Sequence, residues 1–486
     1  MHRAMSIRLS PENVAKLFGT EAAEDEHSDR FKQYSLKGKS FEGFYNEMPL
    51  RIIVGYKGSG KSAILRISKQ EDDSFGIPNV WLTHSNINEY VKLISSSEDL
   101  SEKINAWTIS LGKSIVKQLV ENYLHSRIED NLLAKGSYNF SNKNAIFYNL
   151  QTTYFNTTGA RLKIAPETYK IKVYIDDIDV GWNGSPSHIS TISALLNALR
   201  ILNRNNQQFL FRITLRSDVY YLVRTSDEST DKFQSNVVFL DWDNHEILVL
   251  LVKRVESFFG NEYIESDLVA KSQDTLMHYL KSIISPTFPN WGQQAQVPMQ
   301  RVLLSLVRRR PRDMVKLCTM AAHQAYSRGS TIIDSSDFRS VFEQYSRDRL
   351  QDIINEFKSE LPNIDQLLLE MRPTRKERSG KDMFLYAANA LVQKLRFIKS
   401  HARFQFTGSN ITASENDLIS FLYKINFLQA RKTLTNGMID RKFFEQNQLL
   451  SSRYVNFFGY DFEVHPAYRW ALQPSSVEQV LREIES

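Results

Sequence analysis

The stretch that decides the fold reads Arg51-Ile52-Ile53-Val54-Gly55-Tyr56-Lys57-Gly58-Ser59-Gly60-Lys61-Ser62-Ala63-Ile64-Leu65-Arg66-Ile67. Its first four residues are mostly β-branched and predict a strand, whereas the residues after Ser62 have the apolar spacing of a helix. Between them lies G-x-x-x-x-G-K-S, the pattern of a phosphate-binding loop in the strand, loop and helix context that it requires. A glycine turn with a chance G-K-S ending is the alternative, but both flanks favour the loop.

The residue types of this loop suit a nucleotide phosphate. Glycines let the backbone wrap closely around phosphate oxygens, and successive N–H groups together with the positive end of a helix attract the anion. We expect the Lys61 ammonium to contact the β- and γ-phosphates of ATP and the Ser62 hydroxyl to bind Mg²⁺. The residues expected to bind the cofactor are Gly55, Gly58, Ser59, Gly60, Lys61, Ser62 and Ala63.

A second motif, Val173-Tyr174-Ile175-Asp176-Asp177-Ile178-Asp179, predicts the other half of the site. Apolar residues followed by acids are typical of a buried parallel strand whose carboxyl end faces a site. We expect Asp176 to hold the magnesium shell and Asp177 to act as the catalytic carboxylate that orients the attacking water. A strand followed by an acidic turn is the alternative, and Asp179 fits a plain turn residue equally well.

Composition excludes several classes of protein. A chain of 486 residues is too long for a single core, because cores stop growing at roughly 250 to 300 residues. Its 42% hydrophobic and 24% charged residues indicate a globular protein. The single cysteine, Cys318, excludes an internal disulfide framework and fits a reducing, cytoplasmic location. The sequence has no apolar run of membrane-spanning length, so we expect no membrane partner.

Alternating strand and helix patterns predict an α/β fold with a parallel sheet. The expected strands of this sheet after the glycine loop lie at 80–84, 173–175, 208–218 and 237–242. From 246 to 400 the sequence reads as helices, and a short helix at 417–425 followed by strands at 427–431 and 456–465 suggests a winged-helix-like end. The expected domains are an N-terminal helical flank (1–50), a P-loop ATPase core (51–245), a helical lid (246–335), a helical basic region (336–410) and a winged-helix-like domain (411–486).

The basic region has a strongly uneven charge. Residues 372–403 contain nine Lys or Arg against two acids, a net charge of +7. Such a run is either a solvated face of the protein or a contact with a nucleic-acid backbone. Nucleic acid is therefore a possible partner of this region and of the C-terminal domain.

Five motifs spread over nearly the whole chain occur together: Phe18-Gly19 with Ala23-Glu24-Asp25-Glu26, the loop at 55–63, the acidic strand with Gly181-Trp182, Leu215-Arg216-Ser217-Asp218-Val219-Tyr220 and Val464-His465-Pro466-Ala467-Tyr468-Arg469. In combination they resemble a family of bacterial P-loop ATPases that is similar to the AAA+ and STAND (KAP-like) NTPases. Members of this family are often found in prophages and antiviral defence loci.

The resemblance implies an additional-strand (ASCE) core with two arginine sensors. The strand at 208–218 would lie between the P-loop strand and the acidic strand, with Arg216 as a catalytic sensor of the γ-phosphate. Arg312 matches the sensor-2 arginine of an AAA+ lid, which reaches the nucleotide from a helix start. The alternatives are an ion pair of Arg216 with Asp218 or Asp243 and a solvated helix start at Arg312.

The resemblance also implies a role. It predicts a Mg-ATP-hydrolysing switch that forms a homo-oligomer and acts in antiphage defence with an effector protein encoded nearby. Arg224, placed in a polar segment, is the candidate arginine that acts on a neighbouring subunit. The alternatives are a nucleic-acid remodeller or loader similar to origin-recognition initiators and a nucleotide-bound scaffold with negligible turnover.

Overall fold

The computed structural model describes residues 7–20, 25–83, 94, 98–119, 170–205, 207–226, 233–291, 294–379, 383–435, 438–447, 450 and 459–473. The chain divides into two compact units. The sheet unit comprises Lys37–Tyr56 and Lys61–Leu240, and the helical unit comprises Met1–Leu36, Lys57–Gly60 and Asp241–Ser486. The five-domain division is finer than these two units and stays a prediction.

Up to residue 240, the described elements are α1 (Pro11–Phe18), α2 (Ser28–Tyr34), α3 (Gly38–Tyr45), β1 (Leu50–Gly55), α4 (Lys61–Ser74), β2 (Asn79–Leu82), α5 (Leu100–Leu119), β3 (Ile171–Ile175), α6 (Pro186–Asn205), β4 (Phe209–Arg216), α7 (Ser217–Ser226) and β5 (Val237–Phe239). Beyond it, they are α8 (Asn244–Phe258), α9 (Glu265–Val269), α10 (Gln273–Leu280), β6 (Thr287–Trp291), β7 (Gln294–Pro298), α11 (Met299–Leu306), α12 (Pro311–Ser327), α13 (Ser335–Phe357), α14 (Ile364–Glu370), β8 (Leu385–Tyr386), α15 (Ala388–His401), α16 (Glu415–Lys424), β9 (Leu428–Thr433), β10 (Ile439–Lys442), β11 (Asp461–Val464) and α17 (Pro466–Leu472).

The sheet unit is built on a parallel sheet with the strand order β2-β3-β4-β1-β5. Strand β4 lies between β1 and β3, which confirms the additional-strand arrangement of the core. All five residues of β3 are buried, because both faces of this central strand are covered. Helices α5 and α6 pack against each other, and the buried Trp107 indole of α5 donates a hydrogen bond to the Thr191 carbonyl of α6 at 3.1 Å.

The parallel arrangement fixes where a site can form. The carboxyl ends of all five strands meet at one edge of the sheet, and ligands of such sheets bind outside that edge. The expected strand at 80–84 appears as β2, and residue 84 lies outside the described residues.

The helical unit contains strands where the sequence predicted helices only. Strands β6 and β7 form an antiparallel hairpin, and the rings of Phe288 and Trp291 pack against Phe342 of α13. Trp291 also contacts Trp470 of α17. The expectation of helices alone between 246 and 400 was therefore wrong, because this hairpin is stabilised by aromatic partners far away along the chain.

A second sheet, with the order β10-β9-β11-β8, lies near the C-terminus of the described chain and is antiparallel. Strands β9 and β11 occur where two strands were expected, although residues 456–458 lie outside the described residues. Strand β10 was not anticipated, and β8 is only two residues long, which is too short to leave a periodic pattern. The winged-helix class of this region stays a prediction.

No helix among the described residues is long and apolar enough to cross a membrane.

Candidate nucleotide-binding site

The glycine loop joins β1 to α4. Gly58 and Gly60 have φ angles of +79° and +94°, a backbone region that side chains with a Cβ atom adopt rarely. The Lys61 ammonium donates hydrogen bonds to the carbonyls of Gly55, at 3.0 Å, and Tyr56, at 3.1 Å. Ser62 and Ala63 follow in the first turn of α4, whose N-terminal amides have no partner within the helix. The local sequence thus builds the strand, glycine turn and helix that it predicted, and phosphate binding by this loop stays a prediction.

Asp176 and Asp177 follow β3 but occupy different environments. Asp176 is only 4% exposed, and its carboxylate accepts hydrogen bonds from the Thr214 hydroxyl and, at 3.1 Å, from the Asp177 amide. Asp177 is exposed and has a φ of +56°. Left-handed backbone at a residue other than glycine is uncommon, although aspartate tolerates it better than most. Asp176 is therefore buried and held in place at the end of β3, whereas Asp177 is exposed to solvent.

Thr214 is a site residue that the sequence reasoning missed. It lies in β4, in which Ile213 pairs with Ile175 of β3, so its side chain comes beside Asp176 one residue later. A polar residue near the carboxyl end of an otherwise apolar strand is a detectable pattern once the strand order is known. The strand order was the missing information.

Arg216 ends β4 as expected, and its guanidinium forms a two-pronged ion pair. Its Nε and Nη2 atoms donate to the two carboxylate oxygens of Asp218 at 3.0 and 2.7 Å. Arg216 is 22% exposed, whereas Asp218 is 1% exposed. The Arg216 amide donates to Asp179 at 3.1 Å, so Asp179 supports the end of the strand. The structure thus shows the Asp218 pair that was an open alternative, while the sensor role of Arg216 stays a prediction. Asp243 instead caps α8.

The tip of the glycine loop, Lys57–Gly60, belongs to the helical unit and is held by other residues of that unit. The Trp242 indole donates to the Ser59 carbonyl at 2.6 Å. The Lys57 amide donates to Glu356 at 2.8 Å, and the Lys57 carbonyl accepts from Arg310 at 3.1 Å. Lys57 and Ser59 of the loop tip therefore both have hydrogen-bond partners elsewhere in the helical unit.

Arg312 lies in the first turn of α12, next to Gly58. A Cβ atom placed on Gly58 would come within 3.1 Å of Arg312 Cβ and 3.2 Å of Arg312 Cδ. The side chain of Arg312 is half-buried and packs along the loop. Its position beside the loop agrees with the expected location of a sensor-2 arginine, and its role towards the nucleotide stays a prediction.

The residues before α12 point in different directions. Arg308 pairs with Asp313 at 2.7 Å, Arg309 with Asp241 at 3.0 Å and Arg310 with Glu356 at 2.9 Å. Arg309 has a φ of +55°, and Pro311 occupies the first turn of the helix, where proline is well tolerated. The left-handed backbone at Arg309 directs the side chains of Arg308 and Arg310 to different partners.

The donor set fits magnesium only together with a nucleotide. Among the described residues, no group of three or more His, Cys, Asp or Glu side chains is placed to hold a metal ion. A hydroxyl (Ser62) and a buried carboxylate (Asp176) are the hard oxygen donors that Mg²⁺ prefers. Since Mg²⁺ usually keeps several waters and takes phosphate oxygens, these two residues suit an ion that arrives with ATP.

Comparison with known proteins adds one domain match and several distant structural likenesses. The family profile FunZ_C, the FunZ-associated C-terminal helical domain, matches residues 249–354. No curated protein matches the chain. Similar solved structures include the Aeropyrum pernix ORC2 protein in its ADPNP-ADP complexes, at 10% identity over 91% of this chain and 92% of that chain, with a TM-score of 0.39.

Two further solved structures are similar to this chain to a comparable degree. Cdc6p from Pyrobaculum aerophilum is 11% identical over 96% of this chain and 98% of that chain, with a TM-score of 0.32. Drosophila ORC bound to DNA is 10% identical over 94% of this chain and 91% of that chain, with a TM-score of 0.33. Likenesses this distant do not transfer a function, which has to be argued from the site itself.

Proposed function

We propose that this protein binds ATP with Mg²⁺ and hydrolyses it, and that this cycle makes it a nucleotide-driven switch. The observation that carries the proposal is the strand order. The glycine loop follows β1, the buried Asp176 follows β3, and β4 lies between these two strands. Because all three strands are parallel, both motifs lie at the same edge of the sheet.

The residues at this edge of the sheet can take different roles in phosphoryl transfer. The amides of the loop and the Lys61 ammonium neutralise the β- and γ-phosphates. Magnesium, when bound, neutralises the charge that develops on the phosphates. Thr214 holds the Asp176 carboxylate by a hydrogen bond, and Asp176 would hold the magnesium shell. Asp177, exposed at the strand end, orients the attacking water and takes its proton.

Equilibrium binding of Mg-ATP to the purified protein tests the first half of this proposal. Lys61→Ala removes the lysine cation that we expect to contact the phosphates, so ATP affinity should fall by about tenfold or more. Lys69→Ala is a matched control, because Lys69 lies on the same helix and pairs with Asp73 at 2.7 Å. Wild-type affinity in Lys61→Ala, or an equal loss in both variants, would contradict the assignment of the loop.

We propose nucleic acid as the target of this switch, on the strength of its exposed basic segment. Arg372, Arg375, Lys376 and Arg378 are all exposed. The acid within this segment, Glu377, pairs with the buried Lys394 at 2.8 Å. Arg396 and Lys399, further along the basic region, lie near the carboxylate of Glu415, whereas these four exposed cations lie within seven consecutive residues. A phosphate backbone is the partner that complements such a surface.

The salt dependence of duplex binding tests this second proposal. Reversing Arg375, Lys376 and Arg378 to Glu should weaken binding to duplexes of any sequence and lower the slope of log affinity against log salt by up to about 3. The control reverses three other exposed cations, Lys281, Arg301 and Lys358. Equal weakening by both triple variants would reduce the effect to net charge and remove this segment as the contact.

We also propose that the switch is an oligomer in which Arg224 reaches the γ-phosphate on a neighbouring subunit. Arg224 is exposed in the last turn of α7. A terminal phosphate that gains negative charge needs a further cation, and an arginine from a second subunit couples hydrolysis to assembly. Mixing Arg224→Ala subunits with Lys61→Ala subunits should restore part of the ATPase activity. No recovery in any ratio would exclude Arg224. A defence role with a nearby effector rests on the family resemblance alone.

A further inference from the structure

Lys57 of the glycine loop is held on both sides of its backbone by a pair of buried, oppositely charged side chains. Its N–H group donates to Glu356 Oε1 at 2.8 Å, and its carbonyl accepts from Arg310 Nη1 at 3.1 Å. The same Arg310 nitrogen donates to Glu356 Oε2 at 2.9 Å. Both side chains are at most 2% exposed. The three groups form a closed ring, which we call the Lys57 clamp.

The clamp combines three features that are unfavourable on their own. Glu356 is the penultimate residue of α13, and the negative end of the helix dipole disfavours a carboxylate there. Arg310 follows Arg309, whose left-handed backbone is strained. Burying an ion pair is also weak evidence for a role in stability, because apolar side chains often replace such a pair without loss. Three unfavourable features that converge on one backbone contact indicate that the contact itself matters.

Lys57 is the residue that leads into the phosphate-binding amides. The run from Gly58 to Ser62 carries the N–H groups expected to face the phosphates, and Gly58 needs its positive φ to begin that run. The Lys57 N–H is directed to Glu356 instead, so it anchors the loop and leaves the next amides to the phosphates. Fixing both ends of one peptide unit fixes the direction in which the loop enters Gly58.

We propose that Glu356 and Arg310 are positioning residues that preorganise the glycine loop for the phosphates of ATP. This inference rests on the proposed function, namely that the loop binds ATP. A loop already held in its binding conformation loses less conformational entropy when the ligand arrives, so its affinity is higher. Because Glu356 belongs to the last turn of α13, the clamp also ties ATP affinity to the position of that helical turn.

The test compares KM and kcat for Mg-ATP in the full-length protein. Glu356→Gln keeps the length of the side chain but places an amide N–H group against either Lys57 or Arg310, both of which are donors there. KM should rise by about tenfold, the usual loss for a charge-assisted hydrogen bond, while kcat stays within about twofold of wild type. Arg310→Lys keeps a positive charge beside Glu356, but the lysine side chain is shorter and does not reach the loop as well. This variant should also raise KM with little change in kcat.

Asp352→Asn is the matched control. Asp352 lies one turn earlier on α13 and pairs with Arg349 at 3.0 Å rather than with the loop. The KM of Asp352→Asn should equal that of wild type. The thermal unfolding midpoints of all variants report whether they fold. If Glu356→Gln does not fold, the result with Arg310→Lys decides. Unchanged KM in folded Glu356→Gln or folded Arg310→Lys would overturn the clamp, as would a rise in KM that Asp352→Asn shares.

Failure of the clamp and failure of the proposed function give different results. If wild type binds ATP, Lys61→Ala does not, and Glu356→Gln binds as wild type does, only the clamp is overturned. If wild type itself binds no Mg-ATP, the proposed function is overturned and the clamp with it.

Discussion

Gly58 combines two requirements in a single residue. Its φ of +79° disfavours any side chain with a Cβ atom, and the close approach of Arg312 crowds the place that such an atom would occupy. The first requirement follows from the loop motif. The second depends on a residue more than 250 positions further along the chain, and no local pattern reports such a contact.

We predict that Gly58→Ala weakens ATP binding by roughly tenfold or more, because the left-handed backbone alone costs about 1–2 kcal/mol and the contact with Arg312 adds to it. Binding of Mg-ATP to the purified variant measures this effect. Gly260→Ala is the control, since Gly260 has a φ of +77° and a Cβ atom there would meet nothing within 4 Å. That variant should lose some stability and keep wild-type affinity. Equal affinity of Gly58→Ala and wild type would show that the loop does not need this geometry.

At the scale of the element, helix α12 begins in a buried cluster of charges. Asp313, in its first turn, accepts hydrogen bonds from Arg308 at 2.7 Å and from Arg349 of α13 at 2.6 Å. Burial would raise the pKa of the Asp313 carboxyl, but the two arginines outweigh it and hold this pKa well below its usual range. The negative charge also suits the positive end of the helix dipole. The cluster sets the start of the helix that carries Arg312.

We predict that Asp313→Asn destabilises the protein by about 3–5 kcal/mol, because the buried guanidinium groups of Arg308 and Arg349 would lose the buried carboxylate that they share. Thermal or urea unfolding measures the change. Asp348→Asn removes a carboxylate that pairs with Lys316 at 2.9 Å and is 28% exposed, and it should cost less than about 1 kcal/mol. If both variants lost a similar free energy of unfolding, burial would not determine how much the Asp313 cluster contributes to stability.

Elements with a regular local pattern were predictable, and elements held by distant partners were not. The strands β1, β3 and β4 and the helices α1 and α12 follow from apolar runs, capping residues and proline position. The hairpin of β6 and β7 depends on Phe342, and β8 depends on its pairing with β11. In the candidate site the motif residues were found in the same way, whereas Thr214, Glu356 and Arg310 required the strand order and the packing of the helical unit.

At the scale of the whole molecule, buried titratable groups make stability depend on pH. His465 accepts a hydrogen bond from the Ala467 amide at the start of α17, and burial, reinforced by Arg308 and Arg469, lowers its pKa to about 3. The folded protein therefore keeps this imidazole neutral, while the unfolded chain takes up a proton below about pH 6.5. Stability from this group is complete above pH 6.5 and is lost as the pH falls towards 3.

We predict that His465→Asn flattens the pH dependence of stability between pH 6.5 and 4.5, because one proton contributes about 1.4 kcal/mol per pH unit. Asparagine retains a side-chain acceptor for the helix start. Thermal midpoints of wild type and variant across this range measure the slope, and His278→Asn, at an exposed histidine, should leave it unchanged. An unchanged slope in His465→Asn would contradict a neutral, buried His465.

Phosphate release from Mg-ATP by purified wild type, Lys61→Ala and Asp177→Asn, measured side by side, tests the central claim most directly. The strand-edge arrangement of the loop, Asp176 and Asp177 predicts that wild type turns over ATP and that Lys61→Ala binds ATP about tenfold or more weakly and loses turnover. It also predicts that Asp177→Asn binds ATP but releases no phosphate, since an amide cannot take the water's proton. If Asp176→Asn gives that separation instead, the two carboxylates have exchanged roles. Wild-type rates of phosphate release in both Lys61→Ala and Asp177→Asn would contradict the assignment of this edge of the sheet as an ATPase site.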